Sequence, residues 1–81
     1  MNEYARQLVE RLFRGRTDES MDKHELLDKA HAMGLPASLL GYLDTLAPGS
    51  VDREDVARHL AEAEGTEVER DVADWLEREA A

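Results

Sequence analysis

The sequence predicts an all-α protein, one compact bundle of about five short helices with a helix-turn-helix-like corner. Three observations point there. No segment sustains the apolar–polar alternation of a half-buried strand, whereas apolar residues recur at helical spacing along the whole chain. Two helix starts thirty residues apart share one design. The connections are short and carry Gly or Pro, as closely packed helices require. With 81 residues the chain makes a single domain, near the lower end of what folds without staples, and it has no Cys to supply one.

The first helix is expected over residues 2–14. Tyr4, Ala5, Leu8, Val9, Leu12 and Phe13 fall on one half of a helical wheel, and Glu3, Arg6, Gln7, Glu10, Arg11 and Arg14 on the other. Gly15 closes it, and residues 16–20 read as a polar loop. The second helix, over 22–33, opens with "SMDKHELLDKA" (20–30), which recurs as "SVDREDVARHL" (50–60) at the start of the fourth, over 53–64. In each copy an Asp (Asp22, Asp52) can cap the helix, with an acid three residues on (Glu25, Asp55). The first copy approximates a capping box; the second carries a shorter acid. An apolar residue before each cap (Met21, Val51) can staple onto Leu26 or Val56. Two well-made helix starts account for the echo, and an ancestral duplication is the other reading.

The third helix is expected over 36–46. Gly34 ends the second helix, Pro36 fits a first-turn position, and Pro48-Gly49 ends the third. The fifth, over 67–79, follows Gly65 and is capped by Thr66 with Glu69 three residues on; its apolar stripe, Val68, Val72, Trp75 and Leu76, is narrow. The expected core is Leu8, Leu12, Phe13, Leu26, Ala30, Met33, Leu39, Leu43, Val56 and Leu60, with Trp75 covering it.

Charge is spread unevenly. The net charge is −9, yet residues 1–16 sum to +2 and the remaining 65 to −11. Such a surface repels polyanions, because phosphate neutralisation supplies most non-specific nucleic-acid affinity. It favours a protein partner with a basic surface, although acidity also serves solubility. No apolar run approaches the roughly 20 residues of a membrane helix, and the N-terminus does not read as a signal peptide. A soluble, cytoplasmic protein with no membrane partner is expected.

The stretch "KAHAMGLPASLLGYL" (29–43) has the spacing of a helix-turn-helix. Ala30 is small where two helices touch, Gly34 can take the left-handed turn, and Leu35, Leu40 and Leu43 can anchor the second helix. As DNA chemistry it is poor. The outward face is Ala37, Ser38, Gly41, Asp44 and Thr45 with Tyr42 at its edge, and none of these is an Arg, Lys, Asn or Gln that pairs with base edges. The small residues Ala37, Ser38 and Gly41 would instead let another helix approach closely. The C-terminal helix is the expected occupant, and a partner is the alternative.

Other constellations carry less. His24, Asp28 and His31 share one helix face at metal-chelating spacing, but that face is opposite the core, and only His59 or a water could add to it. The stretch "DTLAPGSVDRED" (44–55) has the outline of a calcium loop, but its third and fifth positions are Leu46 and Pro48, which bring no side-chain oxygen. Calcium is therefore not expected; the helix–loop–helix shape stays open. There is no Cys nucleophile, no glycine-rich phosphate loop and no Ser/His/Asp constellation, so no catalytic residue, metal or cofactor is expected. The acidic run over 62–81 carries Trp75, read first as a lid on the core and second as an anchor for another chain.

Residues 25–60 resemble a family of small bacterial proteins known as a domain of unknown function. The matching features are Leu26 and Ala30 in one helix, Gly34 in the turn, Leu43, Leu46 and Pro48 at a helix end, and Asp55-Val56 opening the last helix. Ala47 interrupts the family's Leu-Pro step, its aromatic–Pro pair is replaced by Ser20-Met21, and residues 66–81 lie outside the match. The resemblance implies an all-helical bacterial module without established catalytic residues.

The function expected from these readings is a non-enzymatic protein-interaction module, a small acidic adaptor or regulator. Ala37, Ser38, Gly41, Tyr42 and Trp75 are the candidate partner-binding residues. The alternatives are an acidic nucleic-acid mimic that occupies the basic cleft of a DNA-handling protein, and then helix-turn-helix DNA binding. Oligomeric state stays open.

Overall fold

The computed structural model describes residues 3–15 and 20–80. The expected helix start at Asn2 and the polar loop over 16–19 lie outside the described residues. The elements run α1 (Glu3–Leu12), β1 (Ser20–Asp22), α2 (Lys23–Ala32), α3 (Ala37–Asp44), β2 (Ser50–Asp52), α4 (Arg53–Ala61) and α5 (Glu67–Ala80).

Five helices form where periodicity places them, but the chain is not purely α. β1 and β2 pair antiparallel, with Met21 opposite Val51 and flanking pairs Ser20–Asp52 and Asp22–Ser50. Each strand is three residues long and holds one buried apolar residue, Met21 or Val51, between polar neighbours. That is too short to show an alternating pattern, and the partner lies thirty residues away.

The ladder gives the echo a structural meaning. Residues thirty apart, Met21 and Val51, face each other in an antiparallel pair, so the units α1–β1–α2 and α3–β2–α4 meet about a local two-fold. The helix packing agrees: α1 lies against α4, and α2 against α3, each contact being the image of the other. Helix α5 has no counterpart and packs on α1 and α3.

Local chemistry sets the helix ends. Asp22 accepts from the His24 N–H at 2.9 Å to cap α2. On α4 the full capping box forms in the copy with the shorter acid: Asp55 N–H donates to Asp52 at 2.7 Å, and Asp52 N–H donates to the Asp55 carboxylate at 3.3 Å. Met21 and Leu26, and likewise Val51 and Val56, are buried in one cluster as the staples require. At the end of α2, Gly34 sits at φ +82°. There Leu35 N–H reaches Ala30 C=O at 3.2 Å and Gly34 N–H reaches His31 C=O at 3.0 Å, which is a Schellman closure. Leu35 is buried by the turn it completes. Pro36 stands at the N-cap of α3, one step ahead of the first turn.

The core joins both units and α5. Leu8, Leu12, Phe13, Leu26, Leu39, Leu43 and Val56 are fully buried, each contributing about 1.5–3 kcal/mol by leaving water. Val72, Trp75 and Leu76 close the cluster from α5, as the narrow stripe predicts. Met33 departs from expectation: it is the C-cap of α2 and half-buried, because the last turn emerges from between its neighbours. Among the described residues no helix is long and apolar enough to cross a membrane.

Candidate interaction surface

The corner between α2 and α3 is built as the helix-turn-helix spacing requires. Ala30 is fully buried where the helices meet, and Leu35 and Leu43 are buried with Leu40 packed against them. The opposite face of α3 is smooth and open. Ala37, Ser38 and Gly41 are exposed, and a Cβ built on Gly41 would meet nothing within 4 Å. Asp44 closes this face with a negative charge.

Helix α5 reaches this face at one edge. The Ser38 hydroxyl donates to the Asp71 carboxylate at 2.5 Å. Beyond that bond, Pro36, Asp71, Asp74, Glu77 and Arg78 line a shallow concavity of about 530 Å³. Asp71, Asp74 and Glu77 follow at spacing three, which aligns them along one side of α5. The expected occupant of the small-residue face is therefore present at its margin, through Ser38, and Ala37 and Gly41 stay uncovered. The two surfaces singled out in the sequence, α3's small residues and α5's acids, form one seam.

Tyr42 stands at the other margin, turned toward α4. Its ring stacks on His59 with centroids 4.2 Å apart and planes 17° from parallel, and its hydroxyl donates to the His59 carbonyl. The His59 Nε2 lies 2.9 Å from the Tyr42 carbonyl and 2.8 Å from the Thr45 hydroxyl. A carbonyl can only accept, so Nε2 carries the proton. Burial pushes the Tyr42 phenol above its ordinary pKa, and the Glu62 charge adds to the rise. This brace ties the end of α3 to α4 and was not foreseen, because it joins residues seventeen apart across a loop.

Trp75 lies elsewhere. It is buried in the core, with the Arg11 guanidinium 5.6 Å from its ring centroid. Its edge meets a concavity of about 260 Å³ lined also by Arg14, Lys29, Met33 and Glu79. Trp75 is thus separate from Ala37, Ser38 and Gly41.

His24, Asp28 and His31 are all exposed, and His59 is occupied by Tyr42 and Thr45. Among the described residues no group of three or more His, Cys, Asp or Glu is placed to hold a metal. In the loop 44–55, Gly49 takes φ +100° at the sixth position and Asp55 stands at the twelfth, in the frame of a calcium loop. The third and fifth positions, Leu46 and Pro48, bring no side-chain oxygen, so the residues present do not fit that ion.

Compared with known proteins, the chain matches no family model, no curated protein and no solved structure.

Proposed function

We propose that the protein is a non-enzymatic interaction module that docks a partner protein by its basic surface onto the seam between α3 and α5. The observation that carries this reading is the Ser38–Asp71 bond, which joins an open small-residue face to a concavity lined by three carboxylates. A helix seated there would approach the backbone closely at Gly41 and meet Asp71, Asp74 and Glu77 with its cations. Charge supplies orientation and association rate, and the smooth face supplies contact area. The reading involves no catalytic step.

The test is affinity capture with wild-type protein, Asp74→Asn/Glu77→Gln and Gly41→Trp. All three altered residues are exposed, so each variant should keep the wild-type circular dichroism spectrum. A partner held by the wild type, weakened tenfold or more by each variant and released by salt supports the proposal. A partner held equally by all three proteins refutes it. Capture of a DNA-handling protein through its basic cleft would identify the acids as a nucleic-acid mimic. A shift of labelled duplex DNA at low salt would favour the helix-turn-helix reading over both.

A further inference from the structure

The seam leaves one charged side chain unexplained. Lys23, the first residue of α2, does not point to solvent: its side chain is 16% exposed, although Lys is among the least often buried residues. It crosses to the other helix–loop–helix unit. Its Nζ lies 2.5 Å from the Asp44 carbonyl, 2.8 Å from the Leu46 carbonyl and 3.3 Å from the Asp44 carboxylate. Its own backbone N–H donates to the Gly49 carbonyl at 2.8 Å. An ammonium has three N–H donors, and three acceptors surround this one.

Those acceptors are the ones a cation site would use. Asp44 ends α3, where unsatisfied carbonyls and the negative end of the helix dipole gather. It is also the first position of the loop whose sixth and twelfth positions are Gly49 and Asp55. At the third position the Leu46 side chain has no oxygen, but its carbonyl turns to the ammonium. The twelfth-position carboxylate, Asp55, is turned to the Asp52 N–H and to Arg58, so the ammonium is held by Asp44 and Leu46 at the start of the loop.

We propose that the loop 44–55 is a cation site whose resident occupant is the Lys23 ammonium, supplied by the opposite unit. The local two-fold offers the counterpart. Arg53, thirty residues on and first in α4, places its guanidinium 5.2 Å over the Phe13 ring and 3.7 Å from Glu10, at the end of α1. Each unit sends a cation to the C-terminal end of the other's first helix. The arms hold the loops together without metal, and a divalent ion entering the 44–55 loop would meet the ammonium's charge.

The test combines NMR with thermal unfolding. In the wild type, calcium titrated to millimolar levels at constant ionic strength should leave the amide signals of residues 44–55 in place. Lys23→Met should move the carbonyl carbon signals of Asp44 and Leu46 and lower Tm by roughly 5–15 °C. Lys23→Arg should keep most of that loss from occurring. Lys23→Ala should regain part of its lost Tm with propylammonium, beyond an equal concentration of sodium chloride. A saturable calcium response in the wild type overturns the proposal. So do unchanged Asp44 and Leu46 carbonyl signals in Lys23→Met. Should Lys23→Met fail to fold, the ammonium signal of Lys23 in wild-type protein decides: slow proton exchange supports the site, and solvent-like exchange overturns it.

Discussion

Replacing two glycines by alanine should change stability in opposite directions. Gly41 lies in the middle of α3, outside the left-handed region, with nothing within 4 Å of a built Cβ. Gly41→Ala therefore removes a helix-interior glycine at no steric cost, which is worth about 0.8–1 kcal/mol. For a domain of this size that raises Tm by roughly 4–8 °C. Gly34 has the same empty surroundings but sits at φ +82°, where an L-residue costs about 1–2 kcal/mol. Reduced freedom of the unfolded chain returns about 0.4–1 kcal/mol, so Gly34→Ala should lose roughly 0.5–1 kcal/mol. Neither change touches a neighbour, so backbone conformation alone separates them. The assay is urea and thermal unfolding followed by far-ultraviolet circular dichroism. A Gly41→Ala protein no more stable than wild type would mean that the face is covered or strained, and the openness on which docking rests would be lost. Shifts of the same sign in both variants would refute the backbone argument itself.

Two further outcomes follow from the caps and the brace. Asp52→Ala removes the side-chain acceptor of the α4 capping box, leaving only the backbone N–H of residue 52 on the Asp55 carboxylate, and should cost about 0.5–2 kcal/mol in urea unfolding; an unchanged midpoint would show that the Asp52 cap contributes nothing. For Tyr42 the folded state favours the neutral phenol, so its contribution is fully present below about pH 10 and is lost as pH rises through the elevated value. Absorbance at 295 nm should show part of the tyrosine ionisation delayed, with a parallel fall in stability. Tyr42→Phe should abolish the delayed part, and identical titrations of the two proteins would contradict the buried setting.

The helices were legible because their cause is local. Leu8, Val9 and Leu12 mark a face by spacing alone, and Asp22, Asp52 and Thr66 announce starts whose hydrogen bonds run within one turn. Gly34 marks its turn for the same reason. The open face of α3 could be named too, since Ala37, Ser38 and Gly41 are small and lie away from Leu39 and Leu43. The partnership of that face with α5 was half visible. Stripe and charge said that α5 packs and that its outer side is acidic, but not that Asp71 would meet Ser38.

What the chain could not show by itself depends on residues far apart. Met21 and Val51 read as staples for their own helices and are buried in the core with Leu26 and Val56, but they also face each other at the centre of a three-pair antiparallel ladder, between polar neighbours. Lys23 and Arg53 sit at matching places in the two repeated stretches, but their crossing to the opposite unit depends on how the units pack. Tyr42 read as the edge of a surface, and its stacking on His59 makes it a brace.

The amino-acid sequence by itself determined the helices, their ends, their apolar faces and the excess of acid, because each follows from periodicity, capping or composition within a few residues. The tertiary structure decided the two-fold meeting of the units, the ladder, the crossing cations and the seam of α3 with α5. Those contacts form when the helices pack, and the pairing energies belong to residues brought together by the core rather than by the chain.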